Sequence, residues 1–271
     1  MGLNPFKLKL IGYKMITHRV MQFTFIRSDG LPFVFIPGQF ITFLLPQQDG
    51  TVLRRSYSLA NSSEECYELE MAVAPVDGGM ATRTLFNLKM GDELLAVGPQ
   101  GRLILKAEET PSHYILVATG TGVAPYRSML SLIAKRLEED TILNVTLLLG
   151  VCYAKDLLYA EDFVAFAKKN ERFNFRSYLS RENTFTEGYQ YPGYVHSAFE
   201  MLHVNPDRDL VYLCGNPYMI DESIEKLQKM GFRPPQIKIE KYFSSKAVPN
   251  SAKLDRCSTE GVSPKLVSAG C

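Results

Sequence analysis

The sequence predicts two domains in series, an antiparallel β-barrel followed by an α/β domain built on a parallel sheet. Three observations carry this. Up to about residue 105, short apolar or alternating runs are broken repeatedly by glycine and proline turns, the pattern of antiparallel strands. Beyond residue 112, apolar strand-like runs alternate with segments of helical period, the pattern of a parallel, doubly wound sheet. Between them, residues 106–112 break both patterns with Glu108, Glu109 and Pro111. The expected division is 1–108, 109–246 and a remainder, 247–271.

In the first part, runs at 19–27, 33–45, 54–60, 66–73 and 93–97 read as strands. Asp29-Gly30, Pro37-Gly38, Asp49-Gly50, Asp77-Gly78-Gly79 and Gly98-Pro99 supply the turns, and one short helix is expected near 80–87. In the second part, strands are expected at 114–118, 144–149, 173–179 and, last in the sheet, 210–214. Met129, Leu130, Ile133 and Leu137 share one helix face, and Ile220, Ile224 and Leu227 share another. Residues 247–271 have no periodicity and are rich in Ser, Lys, Pro and Gly. They read as a disordered tail, with a cloning remnant or a partner-binding segment as alternatives.

A hydrophobic share of 46% and a charged share of 22% are those of a soluble globular protein. A net charge of +1 removes the electrostatic case for a nucleic-acid or membrane partner. Residues 1–16 mix Lys7, Lys9 and Lys14 with scattered apolar residues, unlike a secretory leader, so a cytoplasmic protein is expected, and a monomer is expected as well. The five cysteines are far apart and form no C-x-x-C, so neither zinc nor an iron–sulfur cluster is expected and the metal set is empty. Electron chemistry would then require an organic cofactor or a partner.

Five short segments carry chemistry. Arg55-Ser56-Tyr57-Ser58-Leu59 joins a permanent, forked cation to an aromatic face and two hydroxyls in one strand. Strand geometry sends Tyr57 to one face and Ser56 and Ser58 to the other. The string fits a site for a planar ring and its pyrophosphate, and alone it equally fits a strand with a core tyrosine. Thr119-Gly120-Thr121-Gly122-Val123-Ala124-Pro125 follows a strand and opens a helix, where glycines let backbone N–H groups approach a pyrophosphate. Pro125 departs from the usual dinucleotide fingerprint but suits a first helical turn. Cys214-Gly215-Asn216-Pro217 ends a strand on the edge where open α/β sheets bind ligands, although a lone buried Cys214 is also an ordinary small hydrophobe. Asp77-Gly78-Gly79-Met80-Ala81-Thr82 is either a hairpin turn or a second anion nest, with N–H groups from Gly79 to Thr82 facing phosphate. Ser180-Arg181 closes another strand on the ligand edge, as a surface pair or as a hold on an adenosine 2′-phosphate or ribose.

Together these motifs resemble the ferredoxin–NADP(H) reductase superfamily over residues 5–243. Phe35-Ile36-Pro37-Gly38-Gln39-Phe40 is similar to its x-x-P-G-Q-[FY] strand, Arg55-Ser56-Tyr57-Ser58 to its R-x-Y-S motif, and Gly79-Met80-Ala81-Thr82 to its flavin-phosphate turn. Gly120-Thr121-Gly122-Val123-Ala124-Pro125 and Cys214-Gly215-Asn216-Pro217 are similar to its two nicotinamide-side motifs. The resemblance implies an FAD-binding barrel and an NAD(P)-binding α/β domain. For FAD it implies Arg55 on the pyrophosphate, Tyr57 stacked on the isoalloxazine and Ser58 near its reactive nitrogen. Ser56, Ala72, Val73, Gly79, Met80, Ala81, Thr82, Thr121, Tyr242 and Phe243 complete that set, with Tyr242 or Phe243 as the covering aromatic. For NADPH or NADH it implies Gly120, Thr121, Gly122, Val123, Pro125, Ser180, Arg181, Cys214, Gly215, Asn216 and Met219.

The implied catalytic residues are Ser58, Cys214 and Glu240, serving hydride transfer from NAD(P)H to flavin N5 and single-electron release to ferredoxin or flavodoxin. A reductase component of an oxygenase system and an NAD(P)H:flavin reductase are the alternative enzymes. A flavin-bearing interaction or redox-sensing module is the non-enzymatic alternative. Ser180-Arg181 tilts the nucleotide choice toward NADPH.

Overall fold

The computed structural model describes residues 4–61 and 65–243, so the tail expected at 247–271 lies outside the described residues. Eight strands fall in the first part: β1 (Phe6–Met15), β2 (Met21–Arg27), β3 (Phe33–Val34), β4 (Phe40–Pro46), β5 (Val52–Ser58), β6 (Glu65–Cys66), β7 (Glu68–Val73) and β8 (Glu93–Gln100). Six form one antiparallel sheet in the order β5-β4-β8-β1-β2-β7, while β3 and β6 make a two-stranded ribbon. The sheet curls until its edges meet, where the Ala60 N–H just past β5 donates to the Glu70 carbonyl of β7 at 2.8 Å. Phe23, Phe25, Phe43, Leu8, Leu10 and Ile41 fill the interior, each fully buried. Burial of one such side chain is worth about 1.5–3 kcal/mol.

Strand β1 was not expected from the sequence, yet its alternation is plain. Leu8 and Leu10 point inward while Lys7 and Lys9 point to solvent. The run expected at 33–45 is two strands, broken at Pro37-Gly38. Gly38 has φ +101, and a Cβ there would meet the Leu103 carbonyl at 2.0 Å. The helix expected near 80–87 is α1 (Met80–Phe86).

The second sheet is parallel throughout: β9 (His113–Thr119), β10 (Asn144–Val151), β11 (Phe173–Leu179), β12 (Gln190–Pro192), β13 (Asp209–Gly215) and β14 (Ile237–Lys241), in the order β12-β11-β10-β9-β13-β14. Helices α2 (Ala124–Ser128), α3 (Leu130–Glu139), α4 (Ala160–Lys169), α5 (Ala198–Met201) and α6 (Pro217–Lys229) cover it. Strand β9 is buried on both faces. Tyr114, Leu116 and Ala118 enter one cluster, and Ile115 and Val117 enter the other. The strand ending at Cys214 is not the last, because β14 pairs beside it and sets Glu240 directly across from Cys214. Neither β12 nor β14 was expected.

A polar network fastens the segment between the domains to the second sheet. The Tyr212 hydroxyl donates to Glu109 Oε2 at 2.7 Å, and Lys238 Nζ lies 2.7 Å from Glu109 Oε1. Arg136 donates to the Leu105 carbonyl at 3.2 Å and the Lys106 carbonyl at 2.7 Å. Burial pushes the Glu109 carboxyl up, but hydrogen bonds from Lys238 and Tyr212 outweigh it and hold the pKa below its usual value. Glu109→Ala strands both partners and is expected to cost about 2–3 kcal/mol, read as a lower denaturant midpoint at unchanged slope.

Candidate functional site

Two glycine turns meet at the carboxyl ends of β9 and β13. Gly120 takes φ +52 and opens a 3₁₀ turn, Gly120–Val123, that runs into α2. A Cβ on Gly122 would lie 2.5 Å from the Cys214 carbonyl oxygen. Gly215 takes φ +121, and a Cβ there would lie 2.6 Å from Thr119 Oγ1. Only hydrogen fits at these two positions, so the backbones of the two turns are in direct contact. The Asn216 N–H donates to Thr119 Oγ1 at 2.9 Å, and the Asn216 side chain caps α6 by accepting from the Tyr218 and Met219 N–H groups.

Beside this junction four functional side chains converge. Ser58 Oγ, at the end of β5, lies 3.2 Å from Glu240 Oε1 and 2.5 Å from the Tyr242 hydroxyl. Tyr242 is held by its N–H, which donates to the Gly215 carbonyl at 2.8 Å. Cys214 is fully buried beneath. Burial drives the Glu240 carboxyl up to about 7 against the opposing hydrogen bond from Ser58. Burial, reinforced by Glu240, also pushes the Cys214 thiol well up, and burial with Cys214 does the same to the Tyr242 hydroxyl. Near neutral pH the cluster holds a neutral thiol, a neutral phenol and a carboxyl poised to take or give a proton, joined by a serine hydroxyl.

On the barrel side, Tyr57 is partly buried against the core, its ring 5.9 Å from that of Phe43. Burial raises its hydroxyl to about 12 against the charge of Arg55. Arg55 Nη1 donates to the Arg54 carbonyl at 2.7 Å. Ser56 turns to Thr42, hydroxyl to hydroxyl at 2.9 Å, and Thr42 also donates to Gln100. Ala72 and Val73 are 7% and 1% exposed, so their side chains are consumed by packing and only their backbone can face a ligand. The Gly79 N–H is taken by the Val76 carbonyl at 2.8 Å, which corrects the expectation of a nest running from Gly79. The N–H groups of Met80, Ala81 and Thr82 in the first turn of α1 remain. Ala81 packs inward, Met80 is exposed, and Thr82 Oγ1 accepts from the Val76 N–H. Phe243 is 77% exposed and lies outside the cluster that Tyr242 joins.

A cavity of about 430 Å³ opens between the two domains. Thr119, Gly120, Thr121, Ser180, Arg181, Gly215, Asn216, Met219 and Tyr242 line it from the second domain. Gly122, Val123 and Pro125 are buried behind its wall and shape it without lining it. Thr17, Arg19, Val20, Ala74 and Pro75 line it from the barrel. None of those five was singled out from the sequence, because a residue between strands carries no mark of facing a second domain. Among the described residues neither Arg19 nor Arg181 has an ion-pair partner, so both guanidiniums offer charge to an anion.

The residues present fit both expected groups. The cavity, the two glycine approaches and the two guanidiniums suit a dinucleotide. The hydroxyl–carboxyl cluster beside Tyr57 and Arg55 suits a flavin ring and its phosphates. Among the described residues no helix is long and apolar enough to cross a membrane, and no group of three His, Cys, Asp or Glu is placed to hold a metal.

Residues 7–104 match the oxidoreductase FAD-binding domain family, and residues 116–224 match the oxidoreductase NAD-binding domain family. The chain is 32% identical to ferredoxin–NADP reductase B of Sorangium cellulosum over 79% of its own length and 83% of that protein's. It is 29% identical to the toluate 1,2-dioxygenase electron transfer component of Pseudomonas putida, of which it spans 60%. Among solved structures, the Amycolatopsis cytochrome P450 reductase GcoB is 28% identical with a TM-score of 0.76, covering 88% of this chain and 70% of that one. The ferredoxin NADP⁺ reductase of Neisseria gonorrhoeae, solved with FAD and NADP, shares the fold at 22% identity with a TM-score of 0.76, over 89% of this chain and 100% of that one. The two sheets, the two matched domains and these relatives place the chain in the ferredoxin–NADP(H) reductase superfamily, as an FAD- and NAD(P)H-dependent oxidoreductase.

Proposed function

We propose that this protein transfers electrons between NADPH and ferredoxin or flavodoxin, with 1–108 holding FAD and 109–246 holding the nucleotide. The observation that carries the proposal is the hydrogen-bonded meeting of Ser58, from the barrel, with Glu240 and Tyr242, from the second domain. FAD, when bound, supplies the exchange between two-electron and one-electron chemistry. Arg55 neutralises its pyrophosphate, Tyr57 supports its ring, and Ser58 offers a hydroxyl to the ring edge. Thr121, on the cavity wall, would hold the nicotinamide, and Cys214, fully buried behind the glycine turns, does not line the cavity but supplies a neutral thiol that leaves the site free of a competing charge. Glu240, with a pKa of about 7, supplies or takes the accompanying proton through Ser58.

A protein carrier is favoured because the chain spans 83% of the ferredoxin–NADP reductase relative. An oxygenase reductase component is the second reading, supported by the likeness to the toluate dioxygenase and phenol 2-monooxygenase components, of which the chain spans 60% and 59%. Both halves of the site lie in one chain, which supports action as a monomer, and the cytoplasm supplies the nucleotide. Steady-state kinetics with NADPH and NADH against ferredoxin, flavodoxin, free flavin and an oxygenase component decide between these readings. The proposal expects a protein carrier to be reduced with NADPH preferred; efficient turnover of free flavin alone contradicts it. Arg181→Ala is expected to raise the KM for NADPH about tenfold, the loss of one charge-assisted contact, and to leave that for NADH within about twofold.

A further inference from the structure

We propose that Arg127 is a positioning residue that fixes the separation between the flavin-side strand and the nicotinamide-side turn by plugging the closing seam of the barrel. The inference rests on the functional reading above. Arg127 lies in α2, two residues beyond Pro125 and five beyond Gly122, the glycine that meets the backbone of Cys214 and Gly215. Its Nη1 donates to the Ala60 carbonyl at 2.9 Å and to Glu70 Oε2 at 2.7 Å, both in the barrel. Its Nε donates to Asp162 Oδ2 at 2.6 Å, in α4 of its own domain. The guanidinium also lies 4.5 Å over the Tyr159 ring, which locks its plane.

The barrel partners are the groups that close it. The Ala60 N–H pairs with the Glu70 carbonyl at 2.8 Å, and Asn61 accepts from the Glu70 N–H at 3.1 Å. Ala60 stands two residues after Ser58, so the guanidinium grips the same strand end that carries the hydroxyl. The next residue makes a parallel link. Ser128 Oγ accepts from the Gly38 N–H at 2.8 Å and donates to the Pro125 carbonyl at 2.7 Å. Gly38 leads into Phe40, the cross-strand partner of Ser58. Two adjacent residues of α2 thus hold both chain segments around Ser58 at a fixed distance from Gly122. A planar fork with donors on two edges can bridge two domains in this way, and a lysine can satisfy one arm only.

Positioning and simple stabilisation separate because the guanidinium has one arm across the seam and one within its own domain. Glu70→Gln weakens the first, Asp162→Asn the second, and neither residue touches the catalytic cluster. Arg127→Ala and Glu70→Gln are expected to slow flavin reduction at saturating NADPH by about tenfold or more, since ångström-scale misplacement of reacting groups can cost about a hundredfold. They are also expected to diminish the long-wavelength charge-transfer absorbance of the NADP⁺ complex and to speed hydrogen exchange at Ala60. Asp162→Asn is expected to leave all three within about twofold of wild type while lowering the melting temperature as much as Glu70→Gln. Arg127→Lys should recover part of the rate. Equal rates for Glu70→Gln and Asp162→Asn, or an unchanged rate in Arg127→Ala, would overturn the proposal while leaving the function intact. A wild-type protein that binds FAD and NADPH without flavin reduction would overturn the function and this proposal together.

Discussion

Gly122→Ala is expected to abolish NADPH binding and to destabilise the fold by about 2–3 kcal/mol, because the added methyl would sit 2.5 Å from the Cys214 carbonyl and 2.8 Å from Gly215 Cα. The clash is with backbone on a central strand, so no side chain can rotate away. Relief requires the two turns to part, which separates the nucleotide's cradle from Cys214. Gly215→Ala adds the strain of a non-glycine residue at φ +121 and is expected to act alike. Titration with NADP⁺ alongside thermal unfolding checks both. Binding within about twofold of wild type in either variant would mean that the turns do not form the cradle.

Ser58→Ala is expected to lower kcat by about a hundredfold with little change in the KM for NADPH, since its hydroxyl lies 3.2 Å from Glu240 and 2.5 Å from Tyr242 and links β5 to that carboxyl. Glu240→Gln should lower kcat less and remove the ionisation near pH 7 from the rate profile. Its effect on stability has a definite sign. Folding raises the Glu240 pKa from the ordinary carboxyl value of 4.5 to about 7, so the stabilising proton is fully bound below about 4.5 and its contribution is lost as pH rises through about 7. The loss is on the order of 2–3 kcal/mol after allowance for partial exposure. Glu240→Gln is therefore expected to flatten the decline in unfolding free energy across that window. A variant with an unchanged slope would show that the carboxyl does not carry the shift.

The parts of this site that were legible in the sequence are those whose chemistry is local. Gly120-Thr121-Gly122 and Cys214-Gly215-Asn216 announce backbone shapes that only glycine and a capping asparagine supply, and the structure brings them into contact. Ser58 and Glu240 are 182 positions apart, and residue resemblance paired them where periodicity did not. What escaped notice was set by tertiary direction. Arg19 reaches the cavity only because two domains pack face to face, and Gly79 loses its N–H to a turn whose geometry the string Asp77-Gly78-Gly79 does not specify. Ala72 and Val73 lie at the expected place in the chain, but packing claims their side chains. Strands β1 and β14 escaped because lysines interrupt them, although Leu8, Leu10 and Ile237 still point inward. Without β14 the register that sets Glu240 across from Cys214 could not be foreseen.

The central claim is that electrons pass where Ser58, Cys214, Glu240 and Tyr242 converge. Anaerobic rapid mixing of the FAD-loaded protein with NADPH tests it most directly, following the loss of the flavin's visible absorbance in wild type and in Ser58→Ala. Wild type is expected to bleach rapidly and the variant about a hundredfold more slowly at equal NADPH occupancy. Equal rates in the two proteins would place the chemistry elsewhere.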